Sequence, residues 1–130
     1  MEHRRLVRHQ RAFTLIELLV VMAALGLLLA VSAPRYVEHV DRAREVVLKQ
    51  NLANVREAID KFYADRSRYP IDLQELVQQR YLRQLPLDPV TDRADSWIPV
   101  APQSQPSGAL MDLHSGAAGT ARDGSLYASW

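Results

Sequence analysis

Residues 13–33 read FTLIELLVVMAALGLLLAVSA and contain a single ionisable side chain, that of Glu17. As a helix that rises ~1.5 Å per residue, this stretch is about 31 Å long, which matches the hydrocarbon core of a bilayer. Twelve of its residues are Phe, Leu, Ile or Val. Each of these favours insertion by roughly 0.3 to 0.6 kcal/mol, whereas one acid at the helix centre costs at most about 3 kcal/mol. The sequence therefore predicts a membrane-inserted helix.

Glu17 is the unusual residue of this helix, because an acid inside a membrane is costly and is by default a functional residue with a partner. Two interpretations are open. The carboxylate either reaches the lipid headgroups or pairs with a cation that lies in the same apolar layer.

The charges are divided unevenly along the chain. Residues 1–12 contain four arginines and one glutamate and so carry a net charge of +3, whereas the other residues sum to −2. The positive-inside rule keeps a basic end in the cytoplasm and places the C-terminal part across the membrane. The chain has no cysteine, which excludes a disulfide framework and thiol chemistry.

Two other interpretations of the basic start are weaker. Nucleic-acid binding is disfavoured because the arginine cluster is short and no basic and aromatic interleaving recurs later. A secretory signal peptide cut after Ala33 is also disfavoured. Pro34 would follow the cut, and Thr14 and Glu17 interrupt the run where such a peptide is most apolar.

Beyond the apolar run, the sequence predicts that the helix continues to about residue 63. Pro34 has no amide hydrogen, so the carbonyl of Ala30 loses its helical partner and a kink is expected at Pro34. The next apolar residues recur on one face, with charged residues on the others, which predicts an amphipathic second half. This apolar stripe consists of Val37, Val40, Val47, Leu48, Leu52, Val55, Ile59 and Phe62.

The remaining residues, 66–130, predict a small α+β part. Asp72 reads as the N-cap of a short helix that ends near Gln79, with Glu75 at the third position. Residues 96–100 and 109–114 read as strands, and Pro99 confines the first to an edge. Sixty-five residues are too few for a large independent core. We therefore expect this part to cover the amphipathic half of the helix, with Trp97 and Trp130 as bulky packing residues.

Residues 11–17, RAFTLIE, resemble the start of type IV pilins and of type II secretion pseudopilins. The resemblance implies that prepilin peptidase cuts between Ala12 and Phe13 and that the new amine of Phe13 is N-methylated. Ala12 stands where the family usually has glycine, and it retains a small side chain. The resemblance also supplies the cation for Glu17, since the amine of Phe13 in a neighbouring subunit would pair with it and fix helix register during assembly.

A second, narrower pattern resembles the G-type major pseudopilins. It follows the order YP..L.ELV...YL..LP.DP and covers Tyr69-Pro70, Leu73, Glu75-Leu76-Val77, Tyr81-Leu82, Leu85-Pro86 and Asp88-Pro89. The resemblance implies the pilin fold, in which a long N-terminal helix is capped by a short helix and a small antiparallel sheet. It divides the chain into a cytoplasmic leader (1–12), a transmembrane half-helix (13–33), an amphipathic half-helix (34–65) and a periplasmic C-terminal part (66–130).

As a function, the resemblance implies a structural subunit of the bacterial inner membrane. The subunit would join a homo-oligomeric pseudopilus that helps to export proteins, with other pseudopilins and an inner-membrane assembly platform as partners. A type IV pilin for adhesion, motility or DNA uptake is the alternative, although a cysteine-free chain lacks the disulfide loop of adhesive pilins. A signal-anchored or secreted enzyme is a third possibility.

Residues 115–124 resemble the Gly-rich loop with which G-type pseudopilins bind calcium. The resemblance implies Asp112, Ser115 and Asp123 as oxygen donors, but Ala118 stands where the family has Asp. Calcium takes six to eight oxygen ligands, so the interpretation that we favour is a metal-free turn with no cofactor. The same region does not predict catalysis, because Asp112, His114 and Ser115 are too close in sequence for a relayed triad.

Overall fold

The computed structural model describes residues 12–104 and 108–130. Its elements are α1 (Leu15–Arg66), α2 (Leu73–Gln78), β1 (Ile98–Val100), β2 (Asp112–His114) and a short 3-10 helix, Tyr127–Ser129. The described chain divides into two units whose boundary lies between Glu38 and His39, within α1. A long N-terminal helix, a short second helix and a small antiparallel sheet agree with the pilin fold expected from the sequence.

The first unit contains the apolar half of α1. Within the described residues, α1 is the one helix that is long and apolar enough to cross a membrane. Pro34 lies inside α1, and the helix is continuous on both sides of it. The kink at Pro34 stays a prediction.

The second unit has its core on the C-terminal part of α1. Side chains spaced three or four residues apart are buried there: Leu48, Leu52, Val55, Ala58, Ile59 and Phe62. They pack with Leu76 of α2, with Trp97 and with Leu110 and Leu113. Both predicted packing tryptophans take part, since Trp97 is buried and Trp130 packs, partly buried, against the same core.

The predicted apolar stripe was too long at its N-terminal end. Val37 and Val47 are 56% and 47% exposed, and burial begins at Leu48. The periodicity shows which face of the helix is apolar, but the residues after α1 bury that face only from Leu48 to Phe62. Ala58, which was not assigned to the stripe, is buried because a small side chain fits beneath the covering segments.

α2 forms where its capping residues predict it. The Asp72 side chain accepts a hydrogen bond from the Glu75 amide (2.8 Å), and the Glu75 carboxylate accepts one from the Ile71 amide (2.7 Å). The helix ends at Gln78, with Gln79 as its C-cap, one residue earlier than expected. This agreement arises because capping depends on residues only three or four positions apart.

The two strands also form where they are predicted, but they are shorter. β1 and β2 pair antiparallel, with Ile98 opposite His114 and Val100 opposite Asp112. Pro99 has no N–H to donate to a ladder, which is consistent with its place in a sheet of only two strands. Trp97, immediately before β1, donates its indole N–H to the Pro86 carbonyl (2.9 Å) and so joins the proline-rich segment to the sheet.

Candidate functional site

The start of α1 is fixed by a reciprocal pair of hydrogen bonds between Thr14 and Glu17. The Thr14 amide donates to Glu17 Oε2 (3.1 Å), and the Glu17 amide donates to Thr14 Oγ1 (3.3 Å). This is a capping box, which satisfies two amides that a helix start otherwise leaves unpaired. The Thr-x-x-Glu spacing is the sequence signal for this capping box. The role was not predicted above, where Glu17 was interpreted only as a charge in the membrane.

The predicted cleavage site lies just before this cap. Ala12 and Phe13 are outside the helix and exposed, and the Phe13 side chain is 89% exposed. The rest of the leader, residues 1–11, lies outside the described residues.

Glu17 has no ion-pair partner among residues 12–104 and 108–130. In the uncut chain Phe13 has a peptide nitrogen and no amine, so the expected cation does not exist before processing. The capping bond to Thr14 uses Oε2, and Oε1 remains available for a second donor. Pairing between Glu17 and the amine of Phe13 stays a prediction.

The apolar half of α1 presents its side chains outward. From residue 15 to residue 31, the large apolar side chains are 49–81% exposed. No soluble helix is stable with such a surface in water, so it must be covered by lipid or by other apolar helices. Gly26 adds a gap to this surface, since nothing lies within 4 Å of the position that a Cβ would take there.

The three residues expected to hold calcium all have protein partners. Asp112 Oδ1 accepts from the Arg56 guanidinium (2.8 Å) and from the Leu113 amide (2.7 Å). Ser115 is fully buried, and its hydroxyl donates to Asp88 Oδ2 (2.6 Å). Asp123 Oδ1 accepts from the amide and the hydroxyl of Ser125. One of the two carboxylates in this set is therefore paired with a guanidinium.

No group of three or more His, Asp or Glu residues within 12–104 and 108–130 is placed to hold a metal ion. The apparent triad is also dispersed. His114 Nδ1 bonds to the main-chain oxygen of Trp130 (2.6 Å), whereas Asp112 bonds to Arg56 and Ser115 bonds to Asp88.

Asp88 organises the loop between α2 and β1, a role that the sequence did not suggest. It is fully buried, and its Oδ1 accepts from the amides of Val90 (2.8 Å) and Thr91 (3.3 Å). Its Oδ2 accepts from Ser115, 27 residues later in the chain. An Asp followed by proline is a local turn signal, which predicts the first two bonds. The bond to Ser115 depends on the tertiary fold.

Comparison with known proteins gives a consistent result. A family model described as the prokaryotic N-terminal methylation motif matches residues 7–33. The type II secretion system core protein G of Pseudomonas aeruginosa is 33% identical over 98 residues, which cover 63% of this chain and 69% of that protein. The core protein G of Klebsiella pneumoniae is 31% identical over 99 residues, which cover 64% and 71%.

Pilins match a shorter part. The type IV major pilin protein PilA of Myxococcus xanthus is 36% identical over 59 residues, which cover 45% of this chain and 27% of that protein. No solved structure gives a significant match. The core protein G matches cover 63% and 64% of this chain, which is more than residues 1–66, and so they include part of the chain after α1. With its N-terminal methylation motif and its pilin fold, this chain belongs to the family of type II secretion system core protein G.

Proposed function

We propose that this chain is a pseudopilin that prepilin peptidase cleaves between Ala12 and Phe13 and that is then N-methylated on Phe13. The mature subunit is held in the bacterial inner membrane by residues 13–33. It assembles with further copies, and with other pseudopilins on an inner-membrane platform, into a periplasmic filament that helps to export proteins.

The observation that carries this proposal is the joint placement of the cleavage site and the apolar surface. The match to the methylation motif spans the Ala12–Phe13 bond and continues to residue 33. From residue 15 to residue 33, every residue of α1 is exposed within the described chain. A helix that serves only as a membrane anchor needs only to be apolar. A cleaved N-terminus followed by an exposed apolar helix suits a subunit whose helix leaves the lipid and packs against other helices.

The proposed orientation places the N-terminus in the cytoplasm and the C-terminal part in the periplasm. The net charge of +3 on residues 1–12 supports it. After cleavage the amine of Phe13, with an unperturbed pKa of about 8, and the carboxylate of Glu17 lie in one apolar layer. Each is costly alone, and a pair relieves part of that cost. The role of the Phe13–Glu17 pair is therefore to fix the axial position of one helix against the next.

The processing step is tested by peptide mapping of the mature N-terminus by mass spectrometry, with and without prepilin peptidase. We expect a first residue of Phe13 that carries one added methyl group, and the uncut chain when the peptidase is absent. An intact Met1 in the presence of an active peptidase, or a chain that begins at Pro34, would contradict the proposal. Ala12→Gly is the matched control, since it restores the residue that the family usually has.

A type IV pilin is the second candidate, because pilins also match this chain, although over a shorter length. The Myxococcus xanthus match covers 27% of that pilin, against 69% of the Pseudomonas aeruginosa core protein G. An export assay separates the two. Loss of this chain should block secretion through a type II system, whereas a type IV pilin would be needed for twitching, adhesion or DNA uptake. In both cases the role is structural and not enzymatic.

A further inference from the structure

The Gly-rich segment 115–124 is closed by hydrogen bonds that use several of its oxygen atoms. Besides the Asp112, Ser115 and Asp123 side chains, the Gly119 carbonyl accepts from the Tyr127 amide (3.3 Å) and the Ala121 carbonyl accepts from the Gly124 amide (3.0 Å). A calcium ion at this segment would compete with these donors for the same oxygens. The C-terminal residues are also hydrogen-bonded to α1.

Glu45 of α1 accepts these hydrogen bonds. Its Oε1 accepts from the Arg122 amide (2.8 Å) and from the Tyr127 hydroxyl (3.1 Å). These partners lie 77 and 82 residues later in the chain. Burial, and next the hydrogen bond to Glu45, raise the pKa of the Tyr127 hydroxyl above its ordinary value of 10.0, so it stays protonated and remains a donor.

Lys49 lies one helical turn further along α1 and contacts Trp130, which follows the Gly-rich segment. Its Nζ lies 4.3 Å from the centroid of the Trp130 ring, a cation–π contact. The Trp130 indole N–H in turn donates to Ser125 Oγ (2.7 Å). The Ser125 hydrogen bonds are the main cause, and Lys49 a lesser one, of the lowered pKa of Asp123. Glu45 and Lys49, at spacing i and i+4, thus share one face of α1.

We infer that Glu45 and Lys49 hold residues 115–130, the C-terminal loop of this chain, against α1. We also infer that this loop keeps its fold without calcium. A loop that binds calcium and a loop that bonds to Glu45 must present different groups. A calcium ion collects oxygen atoms, whereas Glu45 collects an N–H and an O–H. The Asp112 carboxylate is paired with Arg56, Asp123 accepts from Ser125, and Ala118 has no carboxylate, whereas Arg122 and Tyr127 direct an N–H and an O–H to Glu45.

The test uses the full chain in detergent and four variants. Glu45→Ala removes the acceptor, Glu45→Gln keeps a neutral oxygen, and Lys49→Met keeps the aliphatic stem but removes the charge. Glu38→Ala is the matched control, because Glu38 is an exposed acid on the same helix. Tryptophan fluorescence gives the unfolding midpoint in calcium chloride and in EGTA. Brief trypsin digestion, with mass spectrometry, gives the rate at which the peptide after Arg122 is released.

We expect the unfolding midpoint of the natural chain to be the same in calcium and in EGTA. Glu45→Ala should lower the midpoint by about 4–8 °C and raise release of the 123–130 peptide about tenfold. Glu45→Gln and Lys49→Met should give smaller changes of the same sign, and Glu38→Ala none. If Glu45→Ala does not fold, the peptide release from Glu45→Gln and Lys49→Met decides.

Two results would overturn the inference. A midpoint that rises with calcium concentration would show that the folded chain binds the ion. Peptide release from the Glu45 and Lys49 variants that equals release from Glu38→Ala would show that these residues do not hold the loop.

Discussion

Glu17 contributes to one interaction in the single chain and, in the proposed filament, to a second one. In the single chain its carboxylate caps α1 together with Thr14. In the proposed filament the same group would meet the amine of Phe13 from a neighbour. A capping carboxylate near a helix N-terminus is also favoured by the helix dipole, so it stays close to the chain start where that amine would lie.

Substitution of Glu17 can separate these two interactions. Glu17→Ala removes both the cap and the charge, whereas Glu17→Gln keeps a side chain that can complete a capping box but removes the charge. We expect both variants to insert into membranes normally, because each makes the span less polar. Filament yield should fall at least about tenfold for both, equivalent to about 1.4 kcal/mol. Sheared filaments quantified by immunoblot give the yield, and resistance to alkaline extraction gives insertion.

The comparison between the two variants decides which interaction matters. Loss with alanine but not with glutamine would assign the defect to helix capping and would refute the charge pair. Filament yields equal to that of the natural chain for both would refute any role of Glu17 in assembly.

At the scale of elements, α2 is held by a cap that depends on charge. Glu75 accepts from the Ile71 amide and pairs with Arg68. The hydrogen bond from Arg68 is the main cause that lowers the pKa of Glu75 below its ordinary value of 4.5. A lowered pKa means that the folded state favours the carboxylate form. The stabilisation is therefore present above the unfolded-state pKa and is lost as the pH falls through the folded-state value.

This sign predicts the acid response of α2. Between about pH 6 and about pH 3 the natural chain should lose more stability than Glu75→Gln, whose side chain does not titrate. Urea unfolding followed by tryptophan fluorescence at several pH values measures the difference. Asp95→Asn is the matched control: Arg93 also lowers the pKa of Asp95, but that pair is exposed, so the substitution should change the acid response less than Glu75→Gln does. Equal acid sensitivity of the natural chain and Glu75→Gln would contradict the role of Glu75.

At the scale of the whole molecule, the second unit depends on close approach between segments that are distant in sequence. Gly116 lies so near the chain before β1 that a Cβ built on it would be 1.8 Å from the Ser96 carbonyl oxygen. The neighbouring atoms are backbone and cannot move aside as a flexible side chain would. Ser115, the adjacent residue, is buried against Asp88, so the loop is fixed on both sides of this contact.

Gly116→Ala should therefore be strongly destabilising. We expect a loss of at least about 2–3 kcal/mol, which corresponds to a fall in the unfolding midpoint of roughly 10 °C or more. Thermal unfolding of the full chain in detergent checks it. Ala118→Ser is the matched control, because Ala118 is exposed two residues away and should tolerate the change. A Gly116→Ala chain as stable as this control would show that the loop moves away from Ser96 at little cost.

The features that the sequence by itself determined are those whose causes lie within a few residues. The apolar run, the Asp72 cap, the two strand segments and the FTLIE start all depend on neighbours in the chain, and the structure and the comparisons confirm them. The Thr14–Glu17 cap was equally readable, since its partners are three residues apart. It was missed because one residue was given one role.

Only the tertiary structure decided where the amphipathic half of α1 becomes buried and what holds the C-terminal loop. Periodicity identifies an apolar face, but how much of it is covered depends on where the later segments fold back, which begins at Leu48. The pairs Asp88–Ser115 and Glu45–Tyr127 join residues 27 and 82 positions apart. Many polar residues could satisfy each of these groups, and the choice among them is made by the fold, because a buried polar atom bonds to whatever partner packing brings within reach.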